Sequence, residues 1–441
     1  MPDQLPQPIG QNRPTNVGRG PAQVGTRRPR QGIALCLSGG GYRAAIFHAG
    51  ALRRLNELGV LAKIDAISCV SGGSIIGGFL AQLIRDGLKI VDGRYEGLEA
   101  RLEPFFAFMR RDIRTLSTLA RLKIWEPAGA APRRLERYYQ EMVGQTALGD
   151  LLDRPRFIFC ATNLFFANSW VCERGRIGDF MAGYVRPPPD DWTLARAIAL
   201  SSCFPPIFDP ARAGLDPKLY SKPMDPSGDD EVDVSEEEAN KLDQARRLIE
   251  LTDGGVYDNL GLEPVWKSYA TILVSDGGKP MQHRFVPAGL RVMRYQQVIN
   301  NQVLALRKRW LIDTFERAKR GVDDDTFNGT YWGVMSATTR YRKSVTHGYS
   351  KGLAVRVANV RTDLNPFSPN EIAVLEKHGY ELADVAVKTH AQQLAVFPDA
   401  PLRPRVASAK LSDEKRVVRA LGWSESRLLS TFTSAADDLL R

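Results

Sequence analysis

Three short stretches of this 441-residue chain carry residues whose types and spacing suit one chemistry. Cys69-Val70-Ser71-Gly72-Gly73 places a serine where an apolar run ends and a helical pattern begins. A sharp strand-to-helix turn of that kind presents Oγ, and the helix N-terminus favours negative charge beside it. The stretch departs from G-x-S-x-G, because Cys69 stands where the first glycine is usual; cysteine is small enough to leave room for a close strand-to-helix approach. Upstream, Ser38-Gly39-Gly40-Gly41-Tyr42-Arg43 follows another apolar run. Successive glycines let backbone N–H groups converge on one anion, and a helix starting there adds its dipole. Arg43 is placed to brace that loop or the anion itself. A nucleophilic hydroxyl and an oxyanion loop are the requirements of acyl transfer. The rival reading is a phosphate-binding loop, but G-x-x-x-x-G-K-[ST] is absent and no G-x-G-x-x-G precedes the helix.

A base must activate the serine. The histidines are His48, His283, His347, His378 and His390. His48 falls inside the first helical pattern and the others lie beyond the candidate catalytic strands, so they read as packing or surface residues. Leu251-Thr252-Asp253-Gly254-Gly255-Val256 instead ends an apolar run with an aspartate in a glycine turn. A carboxylate there can accept the serine proton directly, giving a Ser-Asp dyad. A second Asp-Gly-Gly follows Ile272-Leu273-Val274-Ser275 at Asp276, and one of the two is a strand-ending turn only. This chemistry requires no metal and no organic cofactor.

The elements that must position these groups follow from periodicity. Ile33 to Leu37 is a short continuous apolar run, which reads as a buried strand, and Tyr42 to Leu58 has helical spacing ending at Gly59. Ile64 to Val70 and Ser74 to Ile84 repeat the pair. Strand, helix, strand, helix at this spacing implies a parallel sheet covered on both faces. Runs at Phe157 to Ala161, Ile249 to Thr252 and Thr271 to Ser275 supply further strands, and Val298 to Arg320 and Pro369 to Leu394 read as helices separated by a polar, glycine-rich segment.

The motifs, taken in order, resemble the patatin-like phospholipases, and the glycine loop is also similar to that of the cytosolic group IV phospholipases. A further block, Ala195 to Phe208, looks like the segment that family carries between nucleophile and aspartate. The resemblance runs from about Gly32 to Gly278 and is weak beyond. It implies a three-layer α/β/α core with a mostly parallel central sheet, and Ser-Asp lipid acyl hydrolysis without a cofactor. It assigns Ser71 as nucleophile and Asp253 as base, since Val256-Tyr257-Asp258-Asn259-Leu260 continues as the family's aspartate block does. The Gly39-Gly40-Gly41 loop becomes the oxyanion hole, with Arg43 beside it.

The resulting layout is a basic, disordered arm over 1–31, a catalytic core over 32–280 with an acidic surface insertion at about 211–245, and a mainly helical C-terminal extension over 281–441 packed on the core. A net charge of +10 favours anionic surfaces. The expected partner is an anionic phospholipid membrane rather than a specific nucleic acid, with an activating protein or ligand a further expectation. Five cysteines without C-x-x-C spacing, no secretory h-region and no long apolar run suit a cytoplasmic, peripheral protein. Pro104 to Trp125, mixing Phe105, Phe106, Phe108, Leu116, Leu119, Leu122 and Trp125 with Arg110, Arg111 and Arg114, fits an interfacial helix and equally a helix packed on the sheet. Substrates are phospholipid or lysophospholipid esters. Alternatives are an acyltransferase or neutral-lipid esterase using the same dyad, or a catalytically silent membrane- or nucleic-acid-binding protein.

Overall fold

The computed structural model describes residues 29–113, 130–205, 208–225, 231–281, 291–322, 326–407, 409–425 and 439. The expected arm (1–28 of it), Arg114, Leu116, Leu119, Leu122 and Trp125, and the 226–230 part of the acidic stretch lie outside the described residues.

Strand β1 (Ile33–Leu37) leads into helix α1 (Gly41–Glu57), and β2 (Ala66–Val70) into helix α2 (Gly72–Arg85). A two-stranded ribbon follows, β3 (Ile90–Val91) and β4 (Arg94–Tyr95). Then come β5 (Arg156–Asn163), β6 (Asn168–Glu173), β7 (Arg176–Asp179), β8 (Gly183–Val185), β9 (Ala211–Arg212), β10 (Glu250–Asp253), β11 (Thr271–Asp276) and β12 (Asn328–Gly333). The main sheet runs β12-β11-β1-β2-β5-β6-β7-β8, with β10 joined to β5 and β9 to β10. Its five strands from β12 to β5 are mutually parallel, and beyond β5 every pairing is antiparallel. The fold is a three-layer α/β/α arrangement around a mostly parallel sheet.

Alternation along the strands divides the core in two. Leu35, Leu37, Ile67, Cys69, Phe157 and Phe159 face α1, α2 and the helices Leu194–Ser202 and Pro369–His390. Ala34, Cys36, Ala66, Val70, Ile158 and Cys160 face the other layer, where Leu260, Leu262, Leu311 and Phe315 pack. Burial on both faces is why these strands read as unbroken apolar runs.

The C-terminal region does more than cover the core. β12 extends the parallel sheet through six paired positions, Asn328 to Gly333 against Thr271 to Asp276. Its Asn-Gly-Thr-Tyr-Trp-Gly sequence lacks the apolar run that marks the other strands, so periodicity passed over it. The Pro369–His390 helix lies against α1 with backbones touching: a Cβ on Gly50 would stand 2.0 Å from the Glu376 carbonyl oxygen, and one on Gly379 1.9 Å from that of Phe47. Buried ion pairs Arg53–Glu376 (2.9 Å) and Arg54–Asp384 (2.6 Å) flank this crossing.

Packing settles two surface segments. Phe105, Phe106, Phe108 and Met109 are buried in the core, so that part of the 104–125 stretch packs inward instead of meeting lipid. The acidic insertion contains an ordered helix, Glu236–Arg247, opened by a Ser235/Glu238 capping box. Its Arg246 is buried, donating to the carbonyls of Ala182 (2.9 Å) and Ser221 (2.7 Å), which docks the insertion on the sheet.

Candidate active site

Register brings the serine and aspartate together. Parallel to β5, β2 ends with Val70 opposite Cys160; antiparallel to β5 on the same edge, β10 ends with Asp253 opposite Ala161. The two strand ends thus meet head to head, and Ser71 and Asp253 fall at the junction. Both are buried, and both line one cavity of about 180 Å³.

Ser71 adopts φ 51° and ψ −114°, a region that costs a residue with a side chain on the order of 1–3 kcal/mol and is held only by firm surroundings. Those surroundings centre on Ser201. Its hydroxyl accepts the Ser71 N–H at 3.0 Å, lies 2.8 Å from the Ser74 hydroxyl and donates to the Cys160 carbonyl at 2.6 Å. Sequence reading quoted Ser201 only inside a family-like block; no local pattern marked it as the brace of the turn. The departure at Cys69 also has an explanation. A Cβ on Gly77, one turn into α2, would lie 2.3 Å from Cys69 Sγ, so the missing glycine of the strand is supplied by the helix.

The glycine loop sits directly against this turn. A Cβ on Gly72 would meet the Gly41 carbonyl oxygen at 2.2 Å, and one on Gly73 the Leu37 carbonyl oxygen at 2.1 Å. Gly40 and Gly41 have φ 148° and 61°, values open to glycine. Within the loop the N–H groups divide. That of Gly39 donates to the Asn259 carbonyl at 3.0 Å, which leaves it committed. Among the described residues no acceptor takes those of Gly40, Gly41 or Gly72, the orphan donors of two helix starts. Arg43 takes the bracing role: its guanidinium is buried and donates to the carbonyls of Gly277 (2.8 Å) and Val360 (2.8 Å).

Residues that sequence reading did not single out complete the cavity, among them Asn259, Ser202, Phe204 and Phe208, and Thr362, Asp363 and Leu364 from the C-terminal region. The Asn259 amide fills the space between two turns, within 2.4 Å of where a Gly39 Cβ would lie and 2.6 Å of a Gly255 Cβ. No histidine lines the cavity among the described residues. His48 is buried, 2.8 Å from the Ser275 hydroxyl and 2.9 Å from the Ser38 carbonyl oxygen, and burial lowers its pKa to about 4.

The model of the patatin-like phospholipase family matches residues 35–266, more than half of the chain. The chain belongs to that family. No curated protein matches the sequence. Among solved structures, the human GIVD cytosolic phospholipase A2 is similar at 11% identity and a TM-score of 0.43, over 80% of this chain and 60% of that one. VipD from Legionella pneumophila is similar at 14% identity and a TM-score of 0.30, over 83% and 67%. The chain therefore spans less than two thirds of the length of the human enzyme.

In this chain the two Asp-Gly-Gly turns differ in electrostatics. Asp253 Oδ1 accepts the Gly255 N–H at 2.7 Å, while Oδ2 is buried and, among the described residues, without a hydrogen-bond partner at standard geometry. Burial pushes its pKa up to about 7 against the lowering effect of the Ser71 hydroxyl and Gly255 N–H. Asp276 is equally buried, but the Lys308 ammonium and the Tyr331 hydroxyl, donating to Oδ2 at 2.6 Å, outweigh burial and bring its pKa to about 2. Asp276 Oδ1 accepts the Gly278 N–H at 2.8 Å and lies 3.3 Å from the Ser38 hydroxyl. One aspartate is poised to exchange a proton near neutrality; the other is locked as an anion that secures the glycine loop.

Proposed function

We propose that this chain hydrolyses fatty-acyl esters of phospholipids or lysophospholipids through a Ser71-Asp253 dyad. The observation that carries the reading is the pairing of a strained, buried serine with a carboxylate whose pKa is near 7, inside a cavity that Phe204, Phe208 and Leu364 help to line. Asp253 accepts the Ser71 proton as Oγ attacks the ester carbonyl carbon. The N–H groups of Gly40 and Gly41 serve the resulting oxyanion, each such donor being worth roughly 3–4 kcal/mol of barrier. Collapse of the tetrahedral species breaks the ester C–O bond, the protonated Asp253 returns its proton to the departing alkoxide, and the acyl group stays on Ser71. Water then loses a proton to Asp253 while attacking the acyl-enzyme, which releases fatty acid and restores the serine hydroxyl. The cavity is smaller than the roughly 300–1,000 Å³ of sites that enclose whole drug-sized ligands, which suits admission of the ester and adjoining chain while the rest of the lipid stays in its aggregate.

The reading is tested by release of fatty acid from mixed phospholipid vesicles, comparing the parent chain with folded Ser71→Ala and Asp253→Asn variants. Loss of release in both variants is expected. Undiminished release by Ser71→Ala would sink the assignment.

A further inference from the structure

The Arg291–Arg320 helix has two apolar faces. One is buried against the sheet through Leu311 and Phe315, with Leu304 partly buried beside them. The other carries Val292, Tyr295, Ile299, Val303 and Leu306 at steps of three and four residues, so they form one stripe. That stripe is exposed: Val292 at 76%, Ile299 at 62% and Leu306 at 52%. It ends at Trp310, which packs edge-on against Trp266 and Phe327 on the body. Among the described residues nothing covers the apolar stripe on the first half of the helix.

Charge indicates what covers it. Between 291 and 310 lie Arg291, Arg294, Arg307, Lys308 and Arg309, and no aspartate or glutamate. An apolar stripe whose charged neighbours are all cations, the rest of the polar face being amides such as Gln297, Asn300 and Asn301, suits an anionic lipid surface, where the apolar face enters the acyl boundary and the cations meet headgroups. A protein groove that took this helix would have to match both features. A second copy would align the cations of two helices against each other, which is unfavourable.

The root of the helix ties it to the site. Lys308 pairs with Asp276, and Arg307 lies 3.3 Å from Asp258 and 3.5 Å from Glu263. Asp258 and Asp276 belong to the turns that carry the cavity residues Asn259 and Gly278. We propose that residues 291–306 form an arm that docks the protein on anionic phospholipid surfaces and, through Arg307 and Lys308, holds the cavity at that surface. This rests on the lipid-hydrolase reading for its biological sense, but binding and hydrolysis are measured separately.

The test uses full-length Ser71→Ala protein, which leaves vesicles intact, in sedimentation with phosphatidylglycerol/phosphatidylcholine vesicles and with phosphatidylcholine alone. Binding to the anionic vesicles, and a loss of about tenfold or more on adding Ile299→Asp with Leu306→Asp, is expected. Arg291→Glu with Arg294→Glu should weaken binding in the same direction. In the chain with Ser71 intact, the Asp pair should leave hydrolysis of a short, soluble ester unchanged. Equal sedimentation with and without the Asp pair overturns the proposal. So does a dimer in analytical ultracentrifugation that the Asp pair splits while vesicle binding persists, which would make a second copy the occupant. Absence of vesicle binding with soluble-ester hydrolysis intact overturns the docking arm alone. Arm-dependent vesicle binding by a chain inert to every ester supports the arm and removes the dyad reading.

Discussion

Ser71 and Asp253 meet because β2 and β10 approach along one edge of β5 from opposite directions, with Val70 paired to Cys160 and Asp253 to the next residue, Ala161. Neither residue needs a long side chain or a mobile loop to reach the other. The meeting point is set by backbone hydrogen bonds of a buried sheet.

The pH dependence follows from the buried carboxylate. On the proposed mechanism Asp253 acts as base only when ionised, and burial raises its pKa to about 7. With an uncharged soluble ester, kcat/KM should fall about tenfold per pH unit below 7. Asp276, held near 2, stays charged throughout that range and contributes no limb. An acid limb near pH 4 would mean that Asp253 is not the group titrating.

The same shift makes Asp253 a cost to folding. Its pKa is about 7 in the native chain against 3.8 as the ordinary value, so between those limits the native state binds more protons than the unfolded state and stability declines as pH rises. Asp253→Asn removes that penalty. The variant should be inactive yet more stable at pH 8, by on the order of 2–4 kcal/mol, with the gain shrinking towards pH 4. Urea unfolding at the two pH values measures it.

Asp276 behaves in the opposite sense. Its lowered pKa contributes stability that is present above the ordinary carboxylate range and lost as pH falls through about 2. Lys308→Met leaves the buried carboxylate without its cation. Because Lys308 is about one third exposed, the expected cost at pH 7 is roughly 2–3 kcal/mol, below the 3–5 of a fully buried pair. Denaturant midpoints check this. Activity should fall as well, since Asp276 secures Ser38 and Gly278 beside the glycine loop.

The contact between Cys69 and Gly77 predicts a coupled pair. Gly77→Ala would place a methyl 2.3 Å from Cys69 Sγ, so despite better helix propensity it should destabilise by roughly 1–3 kcal/mol. Cys69→Ala in the same chain removes the sulfur and should recover most of that loss. A double-mutant cycle in urea with coupling below about 0.5 kcal/mol would show that the helix moves to accommodate the methyl.

The sequence by itself determined the local elements and the chemical vocabulary. Buried strands of a parallel sheet are continuous apolar runs, and glycine turns at their ends are required by backbone conformation, so β1, β2, β11 and the turns at Gly39, Ser71, Asp253 and Asp276 were all legible. Polarity hid β12, whose place in the sheet comes from pairing with β11 and not from its own side chains. Aromatic residues next to arginines, as at 105–109, look alike whether they face lipid or the core; only packing assigned the described ones to the core. The tertiary structure also set the electrostatics of each aspartate. Two Asp-Gly-Gly turns carry the same local signal, yet one lies across from Ser71 with burial raising its pKa, while the other is held as an anion by Lys308 and Tyr331, remote in sequence. Ser201 and the Thr362–Leu364 wall of the cavity came the same way. A pKa and a cavity depend on which distant groups are brought near, and that information resides in the packing of elements against one another.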